Sequence, residues 1–311
     1  MGADPVTFIT RFAPSPTGPL HLGHAYSALL AHDMAMAEGG KFLLRIEDID
    51  QSRARPQWEA QIYEDLEWLG LWWPKPVMRQ SERQSIYDEA LDRLWQLGLL
   101  YPCTCNRKDI AAAAAAPQEG SPLLGPDGVI YPGTCRGPWE QVFSDQHQRP
   151  QNVPLRLDME KAIGMVPGLF QNRIVPGKSF ASFGSFLETG NGSNGERGLV
   201  EFTPDNMVKT IGDVVLSRRG MGTSYHLSVV LDDAAQGVNH VIRGQDLFEA
   251  TRIHILLQAL LNLPHPTYHH HRLIRDEAGK RLAKRDDARA IAKYRRDGAS
   301  PKDIRQLVGL D

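Results

Sequence analysis

RFAPSPTGPLHLGH, residues 11–24, joins a β-like run at Val6–Arg11 to an apolar helical stretch that continues through Ala37 and stops at Gly39-Gly40. His21 and His24 stand three residues apart at the start of that helix, so both imidazoles project from one face toward a common ligand. The first turn of a helix also presents N–H groups without intrahelical partners and a partial positive charge, which suits a triphosphate. Gly23, between the histidines, removes a side chain where a flat ring such as adenine would approach the backbone. Two histidines at this spacing are common on helix surfaces, and the ordered string around them is what gives the pair weight.

Working outward, Lys41–Ile46 reads as a second strand and Pro56–Leu69 as a helix, with Trp58, Ile62, Leu66 and Leu69 on one stripe and Gly70 as its stop. Ser85–Leu97 repeats the helical pattern. Strands alternating with helices predict an α/β fold with a parallel sheet covered on both faces, whose ligands bind at the carboxyl ends of the strands. The alternation breaks at Tyr101, where three cysteines, the alanine run Ala111–Ala116 and several Pro and Gly residues predict an inserted domain. Residues 165–200, rich in Gly, Ser and Asn, read as a long flexible loop that can serve as a lid. Ile211–Leu216 and Leu227–Leu231 read as strands, and Val238–Arg243 followed by helical Asp246–Leu261 as one more strand–helix unit. The expected division is therefore residues 1–100 and 224–275 for the two halves of a catalytic domain, 101–223 for the insertion with its loop, and 276–311 for a basic loop and short tail.

With 311 residues, 41% hydrophobic and 23% charged, the composition is that of a globular protein, and no apolar run approaches the roughly 20 residues of a membrane helix. MGADPVTFIT lacks the features of a secretory signal, so a cytoplasmic, reducing setting is expected. There, Cys103, Cys105 and Cys135 favour metal over disulfides. Zinc prefers four ligands, and on the residues alone the fourth is open between Tyr131, His147 and water, with three free buried cysteines an equal alternative to a metal site. The formal net charge of −2 gives no sign of indiscriminate polyanion binding, so any nucleic-acid surface must be local.

Glu47 and Asp48 follow the second strand, Arg11 ends the first and Arg243 follows Val238–Ile242, all at the expected ligand-binding edge. One carboxylate to hold an ammonium, and planar guanidinium forks that match a carboxylate, suit an acidic amino acid. Surface salt bridging is the bland reading of the same charges. Near the C-terminus KRLAKRD, residues 280–286, reads as a solvated basic patch when taken alone. His269–His271 face alternate sides of an extended segment and do not converge on a metal. Trp72 and Trp73 suit packing better than base stacking.

The string at residues 11–24 resembles the HIGH-type motif of class I aminoacyl-tRNA synthetases, in the extended form of the glutamyl and glutaminyl branch. Arg281–Arg285, RLAKR, resembles the KMSKS-type loop of the same enzymes, with Lys284 in the place of the catalytic lysine and Ala283 where a serine is frequent. The resemblance implies a Rossmann-type catalytic domain with an inserted zinc-binding, acceptor-type domain. It assigns ATP, taken as its Mg2+ complex, to His21, Gly23, His24 and Lys284. Glutamate falls to Arg11, Ala13 and Ser15, its amino group to Glu47, a hydroxyl contact to Tyr225 and the side-chain carboxylate to Arg243. One structural zinc falls to Cys103, Cys105, Tyr131 and Cys135.

Two departures narrow the resemblance. YHLSVVLDD (225–233) and RGQDL (243–247) carry Val229 and Leu247 where full-length glutamyl enzymes usually have Asn and Trp, and only 26 residues follow Arg285. In these features the chain resembles the glutamyl-Q tRNA(Asp) synthetases, shortened relatives without an anticodon-binding domain. A monomer is expected, and the resemblance implies as partners L-glutamate, ATP and tRNA(Asp) bearing queuosine at the wobble position. Charging of tRNA(Glu) by a minimal enzyme, and a catalytically silent RNA-binding paralogue, are the competing readings.

Overall fold

The computed structural model describes residues 7–115, 124–137, 148–169, 171–175, 178–275 and 290–310. Strand β1 (Ile9–Phe12) pairs in parallel with β2 (Lys41–Ile46), and β2 pairs in parallel with β3 (Met78–Arg79). Helices Leu22–Ala37 and Pro56–Trp68 make the two crossovers, each within a residue or two of the boundaries the apolar spacing predicts. On the other side of β1, Asn239 joins a second group of strands. Its side-chain oxygen accepts from Ile9 N at 2.8 Å and its own N–H donates to Ile9 O at 3.1 Å, just ahead of β12 (His240–Gly244). Helix Thr251–Leu261 then leads to β13 (Thr267–His271), parallel to β12. The parallel α/β sheet expected from the sequence is present, and its carboxyl ends gather Arg11, Glu47 and Arg243 along one edge.

Leu227–Leu231 is not a strand. It lies in the helix Tyr225–Ala235, whose cap is Ser224 accepting from Leu227 N at 3.5 Å. The helix is buried on several faces, by His226, Leu227, Ser228, Val229, Val230, Asp232 and Asp233, so its apolar run has no period that distinguishes helix from buried strand. Ile211–Leu216 is also shorter than expected. Ile211 caps the helix Pro204–Thr210, Gly212 turns the chain at φ +68°, and only Val215–Ser217 (β11) is extended.

The expectation of a flexible loop at 165–200 is corrected more fully. Within it lie a helical turn at Pro167–Leu169 and strands β8 (Gln171–Val175), β9 (Lys178–Glu188) and β10 (Gly198–Phe202). β9 pairs antiparallel with both β8 and β10 and reaches the catalytic sheet in parallel through Tyr268↔Glu188. Glycine content misled because two of these glycines serve close approach. A Cβ on Gly190 would stand 2.3 Å from His270 O, and one on Gly192 would stand 2.6 Å from the Phe248 ring. Phe186 fixes the segment by packing against Phe202, Phe248 and Tyr268. The catalytic sheet therefore takes a strand from inside the stretch assigned by sequence to the insertion.

The insertion itself carries the antiparallel sheet β11–β7–β4, with β4 at Leu100–Pro102 and β7 at Leu155–Leu157, and the small hairpin β5 (Leu124–Gly125) and β6 (Gly128–Val129). After residue 290 the chain forms helices Ile291–Arg296 and Pro301–Val308. Ile291, Ile304 and Val308 enter the same core cluster as Leu22, Ala25 and Leu29 of the first helix, and Arg305 pairs with Asp33 at 2.7 and 2.9 Å. Trp73 is buried, whereas Trp72 is exposed. Among the described residues no helix is long and apolar enough to cross a membrane.

Candidate functional site

His21 is the N-cap of helix Leu22–Ala37, and the two histidines build a reciprocal cap. His21 Nδ1 accepts from Gly23 N at 3.1 Å, and His24 Nδ1 accepts from His21 N at 3.1 Å. A ring nitrogen that accepts must be unprotonated, so each imidazole is neutral on that side and carries its proton on Nε2. The rings are tilted by 32° with centroids 3.8 Å apart, and both sit at a helix N-terminus, a position that suits an anionic phosphate. A Cβ at position 23 would meet His21 Cε1 at 2.9 Å, so Gly23 is needed for the cap itself as well as for access.

Arg281–Arg285, including Lys284, lie outside the described residues. Their flanks converge on the first motif. Ala290 forms an antiparallel bridge with His21, Ile291 N donates to Leu20 O at 2.9 Å, and on the other flank His271 Nε2 lies 2.7 Å from Ser27 Oγ.

Beside the histidines a charged network closes the ends of β1 and β2. Arg11 Nε donates to Asp233 Oδ1 at 2.8 Å, and Arg45 donates to Asp233 at 2.7 Å and to Glu47 at 3.1 Å. Asp232 accepts from Gln80 at 2.9 Å, Arg83 at 2.6 Å and Tyr87. Burial raises the Glu47 carboxyl above its ordinary value, and Arg45 and Arg11 only partly oppose this. A further cation near Glu47 would therefore be favoured, as an amino group would be. Ala13 and Ser15 lie in the loop between β1 and the helix, whose Pro14 O accepts from Glu47 N at 3.0 Å. Tyr225 is half-buried at the start of its helix, where burial raises the phenol and the nearby Arg243 opposes it. Arg243, Glu47 and Arg11 all act electrostatically on the Tyr225 phenol, so these four residues, named separately from the sequence, lie near one another.

Arg243 differs from the other arginines in its partners. Nε donates to His270 Nε2 at 3.0 Å, Nη1 approaches His254 Nδ1 at 2.9 Å, and Nη2 donates to Thr251 Oγ1 at 2.7 Å and Leu247 O at 3.2 Å. All four are neutral acceptors and use four of the five guanidinium N–H groups, so among the described residues no carboxylate pairs with Arg243, whose Cζ lies 5.1 Å from the centre of the Tyr268 ring. Leu247 contributes its carbonyl here, and Val229 packs in the core. Sequence reading missed Arg45, Asp232, Asp233, His254, His270 and Glu188. A charged residue inside the apolar strand FLLRI and the adjacent carboxylates ending YHLSVVLDD were the visible signals.

In the insertion, the three thiols of Cys103, Cys105 and Cys135 lie within 4.8 Å of one another. Tyr131 Oη is 3.5 Å from both Cys103 Sγ and Cys105 Sγ, and it accepts from Cys135 N at 2.7 Å. Arg156 donates to Cys103 Sγ at 3.3 Å and stacks its guanidinium 3.8 Å from the centre of the Tyr131 ring. The donor set fits one tetrahedral soft-metal ion, and the arginine offsets the excess negative charge of three thiolates. His147 lies outside the described residues.

The family described as tRNA synthetases class I (E and Q), catalytic domain, matches residues 7–167 and 193–310. The glutamyl-Q tRNA(Asp) synthetase of Rhodobacter capsulatus is 61% identical over 302 residues, covering 97% of this chain and 100% of that protein. The protein of the same name from Nocardia farcinica is 39% identical, covering 96% and 82%. Among solved structures, glutamate-tRNA synthetase from Elizabethkingia anophelis superposes with a TM-score of 0.71 at 25% identity. The match covers 97% of this chain and 61% of that one. The chain is a ligase that belongs to the class I tRNA synthetases of the glutamate and glutamine branch, where it groups with the glutamyl-Q tRNA(Asp) synthetases.

Proposed function

We propose that this protein activates L-glutamate with ATP and Mg2+ as glutamyl-adenylate and transfers the glutamyl group to the queuosine base of tRNA(Asp). The observation that carries the amino-acid assignment is Arg243, buried with four neutral acceptors and, like Glu47, near enough to Tyr225 to act on its phenol. An acidic side chain neutralises the first and an α-ammonium the second. Arg11, Ala13, Ser15 and Tyr225 complete the glutamate pocket. The α-carboxylate oxygen attacks the α-phosphorus of ATP and pyrophosphate departs. His21 and His24, through Nε2–H, and the backbone at Gly23 hold the nucleotide, and Lys284 meets the charge that develops on the leaving phosphates. Positioning and charge stabilisation suffice for the step, and no protein nucleophile takes part.

The acceptor assignment is supported by similarity along almost the whole chain to proteins named for glutamyl-Q tRNA(Asp) synthesis. Labelled glutamate is expected to transfer to tRNA(Asp) containing queuosine and not to queuosine-free tRNA(Asp) or to tRNA(Glu). Equal transfer with and without queuosine would overturn the acceptor. Absence of glutamate-dependent pyrophosphate exchange, with or without tRNA, would overturn the activity.

Zinc is proposed at Cys103, Cys105, Tyr131 and Cys135, where it ties β4 to the loop at 131–135 and has a structural role. The purified protein is expected to carry about one zinc per chain. Cys135→Ser should lower that content and loosen the insertion, read by elemental analysis and by limited proteolysis. A wild-type protein that stays metal-free after exposure to zinc would contradict the assignment.

A further inference from the structure

The partners of Arg243 have partners of their own, and the proton positions along the chain follow from hydrogen-bond chemistry. A guanidinium has only donors, so the nitrogens facing it, His270 Nε2 and His254 Nδ1, must both be unprotonated. His270 therefore keeps its proton on Nδ1, which faces Glu188 Oε2. His254 keeps its proton on Nε2, 3.1 Å from His226 Nδ1, and His226 in turn keeps its own on Nε2, 2.9 Å from Asp127 Oδ1. Every imidazole N–H then meets an acceptor in one arrangement only, running outward from Arg243 to a carboxylate at each end. Arg243, His270, Glu188, His254 and His226 are all buried.

The two ends differ. Asp127 is 40% exposed on its side chain and makes one contact with the chain of histidines, so it can turn without leaving a group unpaired. Glu188 is 1% exposed and fixed from three directions: Oε1 accepts from Gly190 N at 2.7 Å and from His270 N at 2.9 Å, while Oε2 faces the His270 ring. It also lies at the end of β9, between the two stretches that match the family, and so belongs to a part of the chain that the family pattern does not cover.

We propose that Glu188, acting through His270, is a positioning residue for substrate selection: it fixes the His270 tautomer that accepts from Arg243 and so holds the guanidinium in place for the acidic side chain. Burial pushes His270 down to about 4 and His254 well below its ordinary value, in keeping with two neutral rings. Interposing an imidazole also keeps the Glu188 carboxylate from pairing with Arg243 directly, so the arginine's charge is reserved for the ligand. The inference rests on the proposed binding of glutamate by Arg243.

Glu188→Gln tests it with little change in volume. The two backbone N–H groups require the amide oxygen at the Oε1 position, which leaves the amide NH2 facing His270 Nδ1. His270 must then move its proton to Nε2, against the Arg243 Nε–H. The expected result is a rise of about 30-fold in KM for glutamate, with kcat and KM for ATP changed by less than about threefold, and a similar loss of discrimination against glutamine. Asp127→Asn should change each parameter by less than about threefold, because its exposed amide can rotate. An unchanged KM for glutamate in a folded Glu188→Gln enzyme would overturn the proposal. Nitrogen NMR of 15N-histidine-labelled wild-type protein provides a test that needs no variant: at neutral pH His270 is expected as the Nδ1–H tautomer, and an Nε2–H form or an imidazolium would overturn the proposal. Wild-type protein without glutamate-dependent exchange would instead remove the glutamate reading, while the tautomer measurement would still decide the hydrogen-bond chain.

Discussion

Arg243→Gln is expected to lower kcat/KM for glutamate by about 10³-fold in pyrophosphate exchange, with KM for ATP nearly unchanged. Glutamine retains a donor for one of the two imidazoles but removes the positive charge, which no carboxylate among the described residues pairs with. Arg11 cannot substitute, because its Nε is already paired with Asp233 at 2.8 Å. Arg243→Lys restores charge without the fork. A single ammonium cannot span His270, His254 and Thr251 as the guanidinium does, so recovery should be partial. A glutamine variant within about tenfold of wild type for glutamate would assign side-chain recognition to another residue. The ATP measurement separates a local effect from unfolding, since the nucleotide groups at His21 and His24 sit on a different helix.

Much of this site was legible before any coordinates because its parts are tied to local pattern. The strand–loop–helix reading of residues 6–37 rested on turn residues and a helix start, both properties of a short window, and β1 and helix Leu22–Ala37 follow it. Arg11, Glu47 and Arg243 could be named because a side chain at the carboxyl end of a parallel strand has one place to go. What surrounds them could not be named. His254 lies in helix Thr251–Leu261 and His270 in β13, and the two share a partner only in Arg243, which β12 supplies. Glu188 was hidden for a different reason: its segment has the composition of a loop, and the contacts that order it, Gly190 against His270 and Phe186 against Tyr268, are between residues about 80 apart in sequence. Helix Tyr225–Ala235 was misread because burial on several faces erases periodicity, and the two aspartates that end its apolar run belong to the charged network rather than to solvent.

That network should dominate stability in the catalytic half. Asp232→Ala is expected to destabilise the protein by roughly 3–5 kcal/mol in denaturant unfolding, a large share of a typical folding free energy. Arg11, Arg45 and Arg83 stand opposite Glu47, Asp232 and Asp233, three cations against three anions, and Arg45, Asp232 and Tyr87 are fully buried. Removing Asp232 leaves Gln80, Arg83 and Tyr87 without their common acceptor and an excess cation beside the fully buried Arg45. Asp232→Asn should cost less, since one oxygen still accepts, but its NH2 then faces other donors. Acid should act through Asp233. Burial alone would raise its carboxyl, but Arg11 and Arg45 prevail and hold it below the ordinary 3.8. Its contribution is therefore fully present above that unfolded value and is lost as pH falls through the lower folded one. An Asp232→Ala protein within about 1 kcal/mol of wild type, with an unchanged denaturant slope, would mean that Arg83 and Tyr87 find solvent instead and that the network is less closed than its burial implies. Loss of both stability and glutamate activation is the expected outcome, because Arg45 Nε also lies 4.0 Å from Asp232, and Arg45 in turn shares Asp233 with Arg11 at 2.7 and 2.8 Å.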